Sequence, residues 1–320
     1  MTEPNAATLD LALIRAAHAR IRPHINRTPV MTSATLDAGA NASLFFKCEN
    51  LQKVGAFKAR GATNAVFSLP DDQAARGVVT HSSGNHGAAL ARAAQLRGIP
   101  AYIVMPSNAP RSKQEAVKRY GGKVIFCEPT LAAREEVAQR VLQETGGVLI
   151  HAFDDLRVMA GQGTTAVELL DSVADLDVIL CPVGGGGLLS GVAVAAKSLA
   201  PDIKVIAVEP AGADDAAQSF KLGRFVAGNP PKSIADGLLT TLCERTFAEI
   251  HRHVDDVVTV SEAGIVQAMR KLWEVLKLVV EPSGAVAYTA IVENRVAIAG
   301  RKVGVILSGG NLDLDKLPWQ

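Results

Sequence analysis

Short apolar runs alternate with longer segments of helical period along most of the chain, from about residue 44 onward. The clearest runs are residues 44–48, 178–181 and 303–307, while segments such as 131–145 and 263–277 place apolar residues on one helical stripe. Runs that are apolar throughout are typical of strands buried on both faces, as in parallel sheets covered by helices. The sequence therefore predicts an α/β protein in which open sheets are flanked by helices.

Size and charge narrow the functional class. The 320 residues are enough for about two domains of ordinary size. The 33 lysines and arginines nearly balance the 32 aspartates and glutamates, so the chain lacks the basic excess that nucleic-acid binding requires. The sequence has neither a signal-peptide pattern nor an apolar run of about 18 residues, which predicts a cytoplasmic protein with no membrane partner. Its four widely spaced cysteines fit neither a zinc site nor a redox pair.

The turns that follow the predicted strands carry the candidate chemistry, because ligands of open α/β sheets bind beyond the carboxyl ends of the strands. The first of these turns contains Lys58 beside Phe57, at the start of a predicted helix. A lysine in this position can be desolvated and act as a nucleophilic amine. A solvated lysine on a helix surface is the alternative for this residue.

Two further turns have the composition of anion sites. Residues 81–87, His-Ser-Ser-Gly-Asn-His-Gly, precede an alanine-rich helix whose first N–H groups can bind a carboxylate or phosphate, although an ordinary capped turn is also possible. Residues 184–187 are four successive glycines, which are costly in chain entropy and indicate a phosphate cradled by backbone N–H groups. The run lacks a Walker lysine, which disfavours a nucleoside triphosphate. The last predicted strand is followed by Ser308-Gly309-Gly310-Asn311. This segment is either a plain turn or one whose serine adds a neutral hydrogen-bonding group to the site.

In this order, the segments resemble the fold-type II pyridoxal-phosphate (PLP) enzymes, and most closely the serine/threonine dehydratase and serine racemase family, which includes 3-hydroxyaspartate dehydratases. The resemblance covers nearly the whole chain. It rests on N-R-T-P-V at 26–30, F-K-x-R-G-A at 57–62, S-S-G-N-H-G at 82–87, A-G-Q-G-T at 160–164, the glycine run, E-P-S-G at 281–284 and S-G-G-N at 308–311. It implies a tryptophan-synthase-β-like α/β fold with two open twisted sheets flanked by helices.

The resemblance implies PLP as cofactor and gives each motif a role. Lys58 resembles the Schiff-base lysine, and Phe57 is expected beside the cofactor. Asn85 is expected to bond the cofactor's 3-hydroxyl group and Ser308 its pyridine nitrogen. The expected phosphate grip is Gly184, Gly185, Gly186 and Gly187.

The same resemblance implies a dehydratase, or ammonia-lyase, that converts serine, threonine or 3-hydroxyaspartate into a 2-oxo or imino acid and ammonia by β-elimination. Lys58 is the expected base on one face of Cα, and Ser83 is the expected acid/base on the other. Arg134 matches a position near the substrate carboxylate and could serve a second carboxylate. The expected substrate-binding residues are Ser82, Ser83, Asn85, His86 and Arg134.

One loop resembles the family's divalent-metal site, and another departs from the family pattern. Glu209, the Ala213 carbonyl and Asp215 are the expected ligands, a set of oxygens that suits Mg²⁺ or Ca²⁺. The family usually has His-Pro before an acidic pair, whereas this chain has Ala152 after His151 and an added Arg157. That departure leaves the substrate open.

By the same resemblance, we expect a large PLP-binding domain of residues 1–72 and 151–320, a small mobile domain of residues 73–150, and a homodimer. The alternatives on the same scaffold are a serine or aspartate-type racemase and a β-replacement enzyme of the cysteine-synthase type. A non-catalytic small-molecule sensor that keeps the fold and a dinucleotide oxidoreductase are alternatives from other classes.

Overall fold

The computed structural model describes residues 8–82 and 84–319. Its strands are β1 (Val30–Met31), β2 (Ser43–Cys48), β3 (Val78–His81), β4 (Ala101–Pro106), β5 (Lys123–Cys127), β6 (Val148–Leu149), β7 (Val178–Pro182), β8 (Lys204–Pro210), β9 (Asp256–Val260) and β10 (Lys302–Leu307). Its α-helices are α1 (Leu11–Ile21), α2 (Ala34–Ala40), α3 (Lys58–Phe67), α4 (Asp71–Ala74), α5 (Asn85–Arg97), α6 (Arg111–Arg119), α7 (Leu131–Thr145), α8 (Leu156–Ser172), α9 (Gly187–Leu199), α10 (Asp215–Leu222), α11 (Glu244–His253), α12 (Glu262–Lys271) and α13 (Pro282–Val292).

The strands form two open sheets. The six-stranded sheet has the order β1-β2-β10-β7-β8-β9, and all its pairings are parallel except that of β1 with β2. The four-stranded sheet has the order β5-β4-β3-β6 and is parallel throughout. This arrangement confirms the predicted α/β fold with two sheets flanked by helices.

The central strand β7 is buried along its whole length, as its continuous apolar sequence predicts. The two-residue strands β1 and β6 are too short to give a periodic signal and were not predicted. The predicted helix over 263–277 ends at Lys271, continues as a π-helical turn at Leu272–Leu276 and stops at Lys277, which has a left-handed backbone.

Glycines allow helices α3, α8 and α9 to pack against one another at short range. A Cβ added at Gly161 would lie 2.6 Å from the Cα of Gly61, and one added at Gly191 would lie 2.6 Å from the backbone N of Gly163. Gly161 and Gly163 lie inside α8. Gly161 brings α8 against the helix that begins at Lys58.

A buried ionic network fixes the start of α3. The guanidinium of Arg60, with no exposed surface, donates all five of its hydrogen bonds to Glu49, Thr164 and Glu168. Lys47 donates to the same Glu168 at 2.7 Å. Because unpairing a buried charge typically costs about 3–5 kcal/mol, this network holds the first turn of α3 in place.

The strands of the four-stranded sheet all lie between residues 78 and 149, and those of the six-stranded sheet lie outside that range. The expected domains are residues 1–72 with 151–320, and residues 73–150. Each would contain one of the two sheets, and this division stays a prediction. No helix in the described part of the chain is long and apolar enough to cross a membrane.

Candidate active site

Lys58 is the first residue of α3, and its Nζ donates a hydrogen bond to the Ala152 carbonyl at 2.9 Å. The amine also lies 5.1 Å from the centroid of the Phe57 ring. Burial lowers the pKa of Lys58 to about 8. A substantial share of this amine is therefore uncharged near neutral pH, which is the form that attacks a carbonyl carbon.

The start of α5 faces the same region. The residue before the helix is Gly84, so no side chain caps the first N–H groups. Within the first turn, His86 is buried and its Nε2 lies 3.1 Å from the Ile150 carbonyl oxygen. Burial, and then the charge of Lys58, lowers the pKa of His86 to about 3, so the ring is neutral. The helix start combines free N–H donors with a neutral imidazole, an environment suited to a carboxylate.

The glycine run forms the turn between β7 and α9, and neighbouring protein groups enclose it closely. Gly186 has a left-handed φ of 85°, and no side chain caps α9. A Cβ at Gly185 would lie 2.3 Å from the Phe153 ring, and one at Gly187 would lie 2.8 Å from the Cβ of Phe153. The N–H of Gly185 donates to Thr240 Oγ1 at 2.9 Å. Sequence reasoning assigned the glycines to a phosphate alone and missed both Phe153 and Thr240, which nothing in their local sequence marks.

Ser308 follows β10 and is buried next to the start of α3. Its carbonyl accepts the Phe57 N–H at 3.0 Å, and its hydroxyl lies 3.4 Å from the Ser283 carbonyl oxygen. The structure therefore brings Ser308 beside the residue that precedes Lys58. Its hydroxyl is a neutral group that can accept or donate a hydrogen bond.

Asn85 is held by two other polar side chains. Its Nδ2 donates to Glu281 Oε1 at 2.8 Å, and its Oδ1 accepts from Asn311 Nδ2 at 2.8 Å. Burial raises the pKa of Glu281 to about 8. The second N–H of the Asn85 amide remains available to a ligand in the cleft. Glu281 is a site residue that the sequence marked only through the E-P-S-G motif.

Arg134 lies on α7, near the end of β3. Its charge lowers the pKa of His81, although burial has the larger effect on that pKa. The Nε of Arg134 is enclosed and has no hydrogen-bond partner among the described residues. Ser83, the expected acid/base, lies outside the described residues.

The added Arg157 does not join this group. Its Nε and Nη2 donate to the two carboxylate oxygens of Asp155 at 3.0 and 2.6 Å. The neighbouring Asp154 pairs with Arg245 at 3.0 Å. Both acidic residues of the loop are thus held by arginines, so the loop after His151 is fixed without the family's proline.

The expected metal ligands Glu209 and Asp215 lie at the turn between β8 and α10. Burial, helped by repulsion from Asp215 and opposed by hydrogen bonds from the Ala217 and Ala216 N–H groups, raises the pKa of Glu209 to about 9. Burial also raises the pKa of Asp215, to about 6. The Glu209 carboxylate accepts the N–H groups of Ala216 and Ala217. Within residues 8–82 and 84–319, no three His, Cys, Asp or Glu side chains form a metal-binding group. Side chains could thus supply two oxygen ligands here, and the Ala213 carbonyl a third.

Residues 238–246, here called the bridging segment, connect the metal loop with the glycine run. The N–H of Leu242 donates to Asp215 Oδ2 at 2.8 Å, and a Cβ at Gly186 would lie 2.8 Å from the Leu242 side chain. At the other end, Leu238 lies against Gly184. Any change at the metal loop can reach the glycine run through this segment.

A cavity of about 670 Å³ opens beside the start of α5. Asn85, Asn311 and Asp236 are among its lining residues. Lys113 of α6 forms an ion pair with Asp236 across this cavity. The cavity is large enough for a small amino acid to enter.

Comparison with known families gives these residues a common chemistry. Residues 21–309 match the protein family described as "Pyridoxal-phosphate dependent enzyme". The chain belongs to this family. The match spans Lys58, the start of α5, the glycine run and Ser308.

Individual relatives of this PLP enzyme are similar over nearly their whole length. It is 54% identical to the beta-hydroxyaspartate dehydratase of Paracoccus denitrificans, with 95% of this chain and 96% of that protein aligned. It is 53% identical to the serine racemase of Arabidopsis thaliana, with coverage of 96% and 95%. The solved structure of maize serine racemase superposes with a TM-score of 0.94 at 50% identity, covering 97% of this chain and 95% of that one.

These similarities confirm that the chain is a fold-type II PLP enzyme of the dehydratase and racemase family. They also leave the dinucleotide oxidoreductase without support.

Proposed function

We propose that the protein is a PLP-dependent dehydratase that eliminates water from a β-hydroxy amino acid and releases a 2-oxo or imino acid and ammonia. The observation that carries the proposal is the buried amine of Lys58, whose pKa is lowered to about 8 in the same cleft as two uncapped helix starts. One helix start suits the cofactor phosphate and the other the substrate carboxylate.

The residues present fit PLP. Lys58 would hold the cofactor covalently beside Phe57, Gly184 to Gly187 would bind its phosphate, and Asn85 and Ser308 would bond its ring substituents. Bound PLP supplies an electron sink for bond cleavage at the α-carbon of an amino acid. Because Ser308 is neutral, it withdraws less electron density than a charged partner, which favours early expulsion of a β-hydroxyl group.

The substrate carboxylate is proposed to dock on the N–H groups of Asn85 and His86, beside the Ser82 side chain, since the Ser82 N–H itself donates to the Val104 carbonyl at 3.0 Å. This position supports proton abstraction by Lys58, since a base with a lowered pKa takes a proton efficiently near neutral pH. Ser83 is the proposed proton donor on the opposite face of Cα. Reprotonation from that side would invert the centre, so a racemase activity on serine or aspartate is the second candidate function.

We infer 3-hydroxyaspartate as the preferred substrate, with serine and threonine as the other candidates. The unpartnered Nε of Arg134 supports a role for this residue in binding a second carboxylate. The name of the Paracoccus denitrificans relative agrees with this choice. Arg157 is excluded from that role by its bonds to Asp155.

A divalent cation, Mg²⁺ or Ca²⁺, is proposed at Glu209, Asp215 and the Ala213 carbonyl. The raised pKa values show that burial disfavours the charged form of these two carboxyl groups. A divalent cation would neutralise their negative charges and stabilise that form. Held there, it would brace the bridging segment against the glycine run. Its effect on the reaction would therefore be structural.

A cytoplasmic homodimer with a mobile small domain, residues 73–150, completes the proposal. Leu51 and Val279 are exposed apolar residues that lie close together, since Asn50 between them in space bonds the Val279 carbonyl. Such a surface suits a second copy of the chain. Closure of the small domain over the cleft would exclude water.

A substrate panel tests the proposal. L- and D-serine, L- and D-threonine and the stereoisomers of 3-hydroxyaspartate are incubated with the enzyme, with and without EDTA. Release of 2-oxo acid and ammonia is measured, and the remaining substrate is analysed for inversion. We expect ammonia release with 3-hydroxyaspartate, abolished in Lys58→Ala and retained in Lys118→Ala, which changes an exposed lysine. Inversion without ammonia would favour the racemase, and reaction only with added sulfide would favour β-replacement.

A further inference from the structure

Three histidines form a group beside Lys58: His86 in the first turn of α5 and His151 after β6 lie near its amine, and His81 at the end of β3 contacts His151. The rings of His81 and His151 meet edge to face, with centroids 5.7 Å apart. The charge of Lys58 acts on both His86 and His151. The proposed function uses the backbone N–H of His86 but assigns no role to any of the three imidazole rings.

Two of these imidazoles are held in their neutral form by their hydrogen bonds. The Nε2 of His86 bonds the Ile150 carbonyl oxygen, and its enclosed Nδ1 has no partner among the described residues, so a proton there would have no acceptor among them. The Nδ1 of His151 accepts the N–H groups of Asp154 at 2.9 Å and Phe153 at 3.4 Å. Protonation would turn that acceptor into a donor facing two donors.

His81 has no such restriction. It is half-buried, and no hydrogen bond to its ring is formed within the part of the chain that the structure describes. Burial lowers its pKa, Glu135 of α7 raises it, and Arg134 of α7 lowers it again. The charged or titratable groups that act on this trio from the other elements are Lys58 on α3, His86 on α5, and His151, Asp154 and Asp155 after β6. Of the three rings, His81 is the one that can take a proton without losing a contact.

We propose that His81 is a specificity residue for substrates with a second carboxylate, and that it takes up a proton from solvent when such a substrate binds. This inference rests on the proposed function. The α-carboxylate docks on the N–H groups of Asn85 and His86, a few residues after His81 in the chain, and the reacting carbon lies at Lys58. A side-chain carboxylate of 3-hydroxyaspartate then lies beside His81 and Arg134.

Arg134 gives this carboxylate a permanent positive charge, and His81 adds one that depends on pH. A negative charge at hydrogen-bonding distance favours the charged imidazole, so the bound dicarboxylate raises the pKa of His81 above its value in the free enzyme. Between these two pKa values each bound ligand takes up as much as one proton. By linkage, the Kd of a dicarboxylate then rises by up to about tenfold per pH unit, and that of a monocarboxylate does not.

Succinate and propionate are matched probes, because they differ by a single carboxylate and neither can react. Each is titrated into the PLP-loaded enzyme by calorimetry, in two buffers that differ in ionisation enthalpy, over about one pH unit on each side of neutrality. We expect proton uptake approaching one per succinate and none with propionate. In His81→Asn the uptake is lost, and the affinity for propionate is retained. His251→Asn, a change on the exposed side of α11, keeps the wild-type uptake.

The proposal is overturned if succinate binds the wild type without proton uptake, if the uptake survives in His81→Asn, or if succinate binds no more tightly than propionate. Each result leaves the dehydratase proposal standing, because ammonia release from hydroxy amino acids is measured independently. Conversely, if the enzyme takes up a proton with succinate but releases no ammonia from any hydroxy amino acid, the dicarboxylate site is supported and the dehydratase proposal is wrong.

Discussion

Two neighbouring turns of the six-stranded sheet share one topology and differ in charge. The turn from β7 to α9 carries four glycines and no charged side chain, whereas the turn from β8 to α10 carries Glu209 and Asp215. The two strands are parallel and paired in register from Val178 with Lys204 to Pro182 with Val208. In the proposed function, the same strand-to-helix connection therefore binds an anion where N–H groups line it and a cation where carboxylates do.

The two turns are not independent, because the bridging segment contacts both. Thr240 accepts the N–H of Gly185, and Leu242 donates its N–H to Asp215. We propose that steric contact holds the glycine turn rigid, and that a cation replaces the protons that burial otherwise favours on the two carboxyl groups of the acidic turn. The predictions below test this difference.

Gly187→Ala has the largest expected effect. The added Cβ would lie 2.8–2.9 Å from the Cβ and Cα of Phe153, so main chain must shift. Overpacking of this kind costs about 1–3 kcal/mol, and we expect PLP affinity to fall by about 10- to 100-fold. Affinity is measured by titrating PLP into the apoenzyme. Gly39→Ala is the control, since its Cβ meets no atom within 4 Å; unchanged affinity in Gly187→Ala would contradict steric rigidity.

Gly185→Ala is expected to be weaker in effect and reversible. The three atoms nearest to its Cβ would be ring atoms of Phe153, at 2.3–2.5 Å. We expect a loss of about tenfold in PLP affinity, largely recovered in the double variant with Phe153→Ala because the ring is then absent. Gly187→Ala combined with Phe153→Ala should recover less. Equal recovery at both positions would show that the main-chain contact is unimportant.

The acidic turn predicts a pH-dependent response to cations. The pKa values of Glu209 and Asp215 are raised in the folded protein, so the unfolded chain releases these protons more readily. Without a cation, stability therefore falls as pH rises from about 4 through the raised values. Mg²⁺ or Ca²⁺ at about 100 times Kd should raise the thermal midpoint by about 5 °C, more at pH 8 than at pH 5. Asp215→Asn should remove this response, and a response that persists would place the ion elsewhere.

Thr240→Val has the smallest expected effect. It removes one hydrogen bond to Gly185 and keeps the side-chain shape, so the change should be about 0.5–1.5 kcal/mol, or roughly threefold to tenfold in PLP affinity. Thr241→Val, one residue further along the bridging segment, is the matched control. If Thr240→Val lost more PLP affinity than Gly187→Ala, the hydrogen bond to Gly185 would matter more than the steric contact with Phe153, contrary to this prediction.

The fold was largely predictable because its central strands are apolar throughout and its helices carry one apolar stripe. β7 was found from its sequence to within one residue, while β1 and β6 escaped because two residues carry no period. Lys58, Asn85 and Ser308 were singled out by motif, and the structure brings all three into one cleft. Phe153, Thr240 and the ring of His81 were missed, because their importance comes from contacts between segments distant in sequence.

The central claim is that Lys58 binds the cofactor covalently. Purified enzyme loaded with PLP is reduced with borohydride, digested, and examined by mass spectrometry for the modified lysine. The account predicts a stable pyridoxyl adduct on Lys58 alone, together with loss of the adduct and of ammonia release in Lys58→Ala. An adduct on another lysine, or full turnover by Lys58→Ala, would contradict it.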